Sequence, residues 1–147
     1  MLEVKAPNPY PTDVKSVFLG GSLTVERDWR DEFVKLFNDY DVALLNPKGD
    51  NIKEVADETS EAFVNSVRWV NEALQDADIV LLHFSEDTES PVSLLDLADL
   101  CKYKDTYICM DAGFWKKALI ESACIEFNVP IFDSLEKASL AIKGRLI

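Results

Sequence analysis

Apolar and polar positions along the chain fall into two regimes. Short, largely apolar runs occupy residues 14–19, 42–45, 79–84, 106–110 and 129–132. Each is long enough for a buried strand and too short for a stable helix. Between them the apolar residues recur at three and four. Trp29, Phe33, Leu36 and Phe37 do so within 26–38, and Phe63, Val67, Val70 and Leu74 within 58–75, where Trp69 lies beside the stripe. Trp115, Leu119 and Cys124 follow within 114–127. These segments read as amphipathic helices. Asn128 ends the third of them, and Ser134 caps a last short helix through Leu140. Strands alternating with helices predict a parallel sheet with right-handed crossovers. The expected fold is a flavodoxin-like three-layer α/β sandwich of five strands in the order 2-1-3-4-5, with Pro130 marking the fifth as an edge strand.

In such a sheet ligands sit outside the C-terminal ends of the strands. Four segments should therefore meet on one rim: the Gly20-Gly21-Ser22 turn, the Asn46-Pro47 corner with its polar loop 48–51, residues 90–96, and the loop from Asp111 to Trp115. The paired glycines allow a sharp turn and close backbone approach to a ligand, but lack the spacing of a Walker loop or dinucleotide fingerprint. Ser90 is expected to cap a helix through its hydroxyl, with Pro91 at the first helical position. One turn in, on the face of Ser93, a single carboxylate, Asp96, stands among three leucines. It reads either as a site residue or as a solvated acid paired with Lys102 or Lys104.

Composition narrows the ligand. The chain has 147 residues, 48% of them apolar, which suits one domain spanning 1–147 with a core that needs no metal or disulfide. Its net charge is −12, and no Lys/Arg cluster interrupts the acidity. Such a surface repels phosphate backbones, so nucleic-acid polymers and anionic membranes are excluded as partners and a neutral or weakly charged small molecule is favoured. Cys101, Cys109 and Cys124 read as buried free thiols. His83, the single histidine, lies inside a central strand and reads as structural. The first residues lack a signal peptide's apolar core, and no run approaches the ~20 residues of a membrane span, so a cytoplasmic location is expected.

Taken together, Phe18-Leu19-Gly20-Gly21-Ser22, Asn46-Pro47, Trp69, Ala77-Asp78-Ile79, the stretch from Ser90 to Leu97, and Phe114-Trp115 resemble the nucleoside 2-deoxyribosyltransferase-like family, in order along nearly the whole chain. The resemblance implies a domain that cleaves or exchanges the N-glycosidic bond of 2'-deoxynucleosides or their monophosphates. It implies no metal or organic cofactor, and a homo-oligomer in which a neighbouring subunit helps complete the site. Asp96 takes the nucleophile's position. Gly20, Gly21, Ser22, Trp29, Asn46, Asp78, Ser90, Ser93 and Phe114 are the expected substrate contacts, Ser22 and Ser90 for sugar hydroxyls or a 5'-phosphate and Trp29 or Phe114 for stacking on the base.

Two departures from the family pattern stand out. The family has Glu followed by Leu-Gly where this chain has Asp96-Leu97-Ala98. The carboxylate is one methylene shorter, a loss of roughly 1.5 Å of reach, and a displacement of about 1 Å can cost on the order of a hundredfold in rate. An acid often follows the tryptophan in the family, whereas Trp69 is followed here by Val70. Glu72, Asp76, Asp78 and Asp111 are substitutes by residue type. The readings left open are therefore an enzyme, a nucleoside-binding protein of the same fold with impaired turnover, and an interaction domain that keeps only the fold.

Overall fold

A computed structural model describes residues 1–25 and 27–147. Six parallel strands, β1 (Leu2–Lys5), β2 (Ser16–Gly21), β3 (Ala43–Asn46), β4 (Ile79–Phe84), β5 (Thr106–Met110) and β6 (Ile131–Phe132), form one sheet in the order β1-β3-β2-β4-β5-β6. The helices are α1 (Trp29–Lys35), α2 (Ile52–Val55), α3 (Glu61–Asp76), α4 (Pro91–Leu100), α5 (Lys117–Phe127) and α6 (Leu135–Leu146). The sheet thus has six strands where five were expected. The additional strand, β1, lies outside β3 with Leu2 opposite Ala43 and Lys5 opposite Asn46, while the five expected strands keep the expected neighbours.

Alternation along each strand builds the three layers. Val17 and Leu19 of β2, with Ile79 and Leu81 of β4, share one core with Trp29 and Phe33 of α1 and Ala138 and Ile142 of α6. Phe18, Val80, Leu82 and Phe84 point the other way, against Trp69 and Ala73 of α3, Leu97 and Leu100 of α4, and Ile120 and Cys124 of α5. All six β4 residues are buried, as a central strand covered on both faces requires.

Several expectations shift in detail. The buried stripe of α3 is Ser66, Trp69 and Ala73; Val70 and Leu74 are half-buried and Val67 is 42% exposed. Small side chains at 66 and 73 let the helix lie close to the sheet, and Trp69 fills the space between them. Phe114 precedes α5 instead of opening it, and packs in the core against Phe84 with ring centroids 5.1 Å apart. Asn128 does end α5, in the left-handed conformation at φ 57, and the Ser134 hydroxyl caps α6 by accepting from Lys137 N–H at 3.2 Å. α6 runs on to Leu146. All three cysteines are free and buried. No helix among the described residues is long and apolar enough to cross a membrane.

Candidate functional site

The C-terminal ends of β2, β3, β4 and β5 form the rim that the topology designates for a ligand. At the end of β2, Gly20 has no room for a side chain: a Cβ there would lie 2.6 Å from Leu82 Cδ2. Gly21 has φ +149, and a Cβ on it would lie 2.9 Å from the His83 carbonyl oxygen. Backbone geometry, not ligand contact, is thus enough to require glycine at 21, while at 20 the nearest obstacle is the end of a side chain.

The turn after β2 is held by Arg30, a residue whose role is not apparent from the sequence pattern. It is fully buried. Its guanidinium donates to the carbonyls of Leu19 (3.1 Å), Gly21 (3.0 Å) and Ser22 (3.3 Å). Burial pulls its pKa down to about 10, with Asp28 opposing. Asp28 caps α1 by accepting from Arg30 N–H at 3.2 Å and also receives Lys48 Nζ at 3.4 Å, which ties the β3 corner to α1. A cation in a helix's first turn opposes the helix dipole, and that anomaly is the one trace of Arg30's role visible in the sequence.

Asn46 is buried at the end of β3, where its amide donates to Glu3 (2.9 Å) and its oxygen accepts from Lys48 N–H (2.9 Å). Its polar atoms shape the corner. The Ser22 hydroxyl pairs with that of Thr24 at 3.1 Å.

The segment from Ser90 to Asp96 begins α4 where expected, with Pro91 at its start. Ser90 nevertheless does not cap the helix through its side chain. It adopts φ 48, ψ 52, which turns its hydroxyl away from the helical N–H groups and onto the Thr88 hydroxyl, 2.6 Å away. Ser93 is buried on the helix's inner face. Asp96, half-buried, has neither hydrogen bond nor ion pair among the described residues. Lys104 donates instead to the Gln75 carbonyl at 2.7 Å. Burial raises the Asp96 pKa, and the neighbouring Asp99 raises it further.

Asp78 is not brought to this rim. It stands before β4, at the opposite end of the sheet, where its carboxylate accepts from Ser16 N–H at 2.9 Å and faces Lys15 at 3.7 Å. Phe114, sealed in the core, is likewise not available to a base. Asp111 does lie on the rim, accepting from Glu86 N–H at 3.0 Å, and Trp115 fastens its loop to the Glu89 carbonyl at 2.9 Å.

Beside the β4–α4 loop a cleft of about 790 Å³ opens over the ends of β4 and β5. One wall is Trp29 stacked on His83, centroids 4.6 Å apart and planes 11° from parallel. The Trp29 indole N–H finds no acceptor among the described residues. His83 is buried, as a structural histidine in a central strand should be, and its edge also lines the cleft. Its Nδ1 lies 3.1 Å from the Ser85 hydroxyl, and burial pulls its pKa down to about 4 against the opposing pull of Asp111, so the ring is neutral at physiological pH. Cys109 also lines the cleft, but burial pushes its pKa up to about 12, which removes it as a thiolate nucleophile. Six carboxylates border the cleft, from Glu32, Glu86, Asp87, Asp111, Asp133 and Glu136. Asp96 is not among its lining residues. Among the described residues no group of three or more His, Cys, Asp or Glu is placed to hold a metal ion.

Residues 14–114 match the family model described as "Nucleoside 2-deoxyribosyltransferase like". The matched span runs from two residues before β2 to Phe114 in the loop after β5, and so contains the C-terminal ends of β2, β3, β4 and β5. No curated protein matches the chain.

Proposed function

The chain belongs to the nucleoside 2-deoxyribosyltransferase-like family, and from that premise we propose that it cleaves or exchanges the N-glycosidic bond of 2'-deoxynucleosides or their monophosphates with Asp96 as nucleophile. The observation that supports this reading is the state of Asp96. A carboxylate that is half-buried, lacks a hydrogen-bond donor and sits one turn into a helix at the ligand rim serves no evident purpose in holding the fold. Leaving such a group unpaired costs stability, and sites that need a reactive carboxylate accept that cost.

In the proposed reaction, departure of the base builds oxocarbenium character at the anomeric carbon, which the Asp96 carboxylate stabilises and then traps as a glycosyl ester. The bond from sugar carbon to base nitrogen breaks as the bond from Asp96 oxygen to carbon forms, and the base takes up a proton. Water, or a second base, then attacks the same carbon and frees Asp96. Of the acids considered as the missing second group, Asp111 is the one with a place on the rim.

A second reading, a nucleoside-binding protein with impaired turnover, draws support from Val70, which is half-buried and packed against the core at the position where the family pattern often has an acid, and from the shorter reach of Asp96. Incubation with each deoxynucleoside, with and without a second free base, separates the two. Base release or exchange that disappears in Asp96→Ala supports the enzyme. Ligand recovered unchanged, with turnover appearing in Asp96→Glu, supports the binding protein. Equal activity in Asp96→Ala would eliminate the nucleophile assignment.

A further inference from the structure

The cleft over the ends of β4 and β5 has no part in the reaction proposed for Asp96, which does not line it. We infer that this cleft is a second ligand site, and that it takes a hydroxylated organic cation with two or more ammonium groups. Its volume of about 790 Å³ suits a small molecule. Its floor, its charge and its aromatic wall each narrow the chemistry of that molecule.

The floor is uncharged. His83 and Cys109 are register partners on β4 and β5, and burial keeps both the imidazole and the thiol neutral. Around that floor the charge has one sign. Arg27 is the only lysine or arginine among the described lining residues and is paired with Glu32, while Asp133 is met by Lys137 at 2.9 Å. Glu86, Asp111 and Glu136 have no ion-pair partner among the described residues. They stand on three different parts of the fold, after β4, after β5 and in the first turn of α6, and the charges of Asp111 and Glu136 both bear on Cys109. No group of three acids, histidines or cysteines among the described residues is placed to hold a single metal ion. Carboxylates spread in this way suit ammonium groups carried on an organic skeleton, each taking a charge-assisted hydrogen bond.

The wall adds a requirement that charge does not. Trp29 is 3% exposed and stacked on His83, yet its indole N–H meets no acceptor among the described residues. A buried donor without a partner costs stability until an acceptor meets it. Trp29 lines the cleft, so a ligand there can bring that acceptor. An ammonium group has none to offer, whereas a hydroxyl oxygen does. The Ser85 hydroxyl, beside His83 Nδ1 on the same lining, provides a further polar contact for such a group.

Calorimetric titration of the intact protein with three probes tests the inference: streptamine, a diamine bearing hydroxyls; putrescine, a diamine without them; and myo-inositol, which has hydroxyls and no charge. Streptamine should bind about tenfold more tightly than putrescine, and myo-inositol should give no signal. Raising the ionic strength from about 20 to about 200 mM should weaken streptamine about tenfold. A Glu86→Gln/Glu136→Gln double variant, altered only at exposed side chains, should weaken both amines by about the same factor. Trp29→Phe should bring streptamine down to putrescine, and the wild-type comparison of the two amines carries the same test if that variant does not fold. Asp96→Asn should change none of these affinities. Absence of streptamine binding, or myo-inositol binding as tight, would overturn the inference. Streptamine affinity unmoved by the double substitution would place the ligand outside the cleft, and a tenfold loss in Asp96→Asn would assign it to the Asp96 site; either result overturns a second site. Absence of base release with streptamine binding intact would remove the proposed reaction alone.

Discussion

The indole of Trp29 lies flat on the imidazole of His83, 4.6 Å between centroids, and joins the first turn of α1 to the end of β4. The stack buries the ring, and burial is the largest cause of its pKa near 4. An unfolded chain protonates His83 near pH 6.5 while the folded one refuses the proton until about pH 4, so the folded state loses stability as pH falls through that window. The slope should be up to about 1.4 kcal/mol per pH unit. Because the chain has one histidine, an NMR titration of its ring protons reads this pKa without assignment; a midpoint near 6.5 would contradict the buried, neutral ring.

For Asp96 the sign is reversed. Its folded pKa is raised, so the unfolded chain ionises first as pH rises, and ionisation of Asp96 works against folding above the ordinary carboxylate range. Asp96→Asn should therefore raise the melting temperature at pH 7 by about 1–3 °C, with the gain vanishing in acid. The same substitution should abolish base release, and wild-type turnover should rise with pH through the raised pKa. Calorimetric scans at pH 3.5 and 7, beside a pH–rate profile, check all three.

Arg30 should be the costliest charged residue to lose. Arg30→Met leaves the carbonyls of Leu19, Gly21 and Ser22 without their donor, for about 2–4 kcal/mol. Arg30→Lys should recover little, since a compact ammonium cannot span three carbonyls as a planar guanidinium does. Urea denaturation measures both.

At the glycine turn the two positions should respond differently. Gly21→Ala combines φ +149 with a clash against a backbone oxygen and should cost about 1–3 kcal/mol. Gly20→Ala meets the end of a leucine side chain, which can rotate at smaller cost. The order of the two midpoints in urea tests this.

The central strands were legible because burial on both faces leaves an unbroken apolar run, as in 79–84. β1 was not: Leu2-Glu3-Val4-Lys5 is four residues of alternating character, and only its pairing with β3 makes it a strand. The stripe of α3 was misplaced by one flank because close approach to the sheet selects Ser66 and Ala73, which a search for large apolar residues passes over. The rim was legible from topology, and strand direction alone places Asp78 at the wrong end of it. Arg30's three carbonyls and the Trp29–His83 stack depend on chain returning from elsewhere, which local pattern does not encode.

β1 also has a bearing on handling the protein. β3 is buried along its whole length, Ala43-Leu44-Leu45-Asn46, and its outer hydrogen-bonding edge is covered by the strand bearing Glu3 and Lys5. Deleting residues 1–6 would uncover a flat apolar edge suited to pairing with other molecules. The shortened protein should then self-associate, with light-scattering mass rising with concentration, whereas a tag joined ahead of Met1 would sit at the end of the sheet away from the ligand rim.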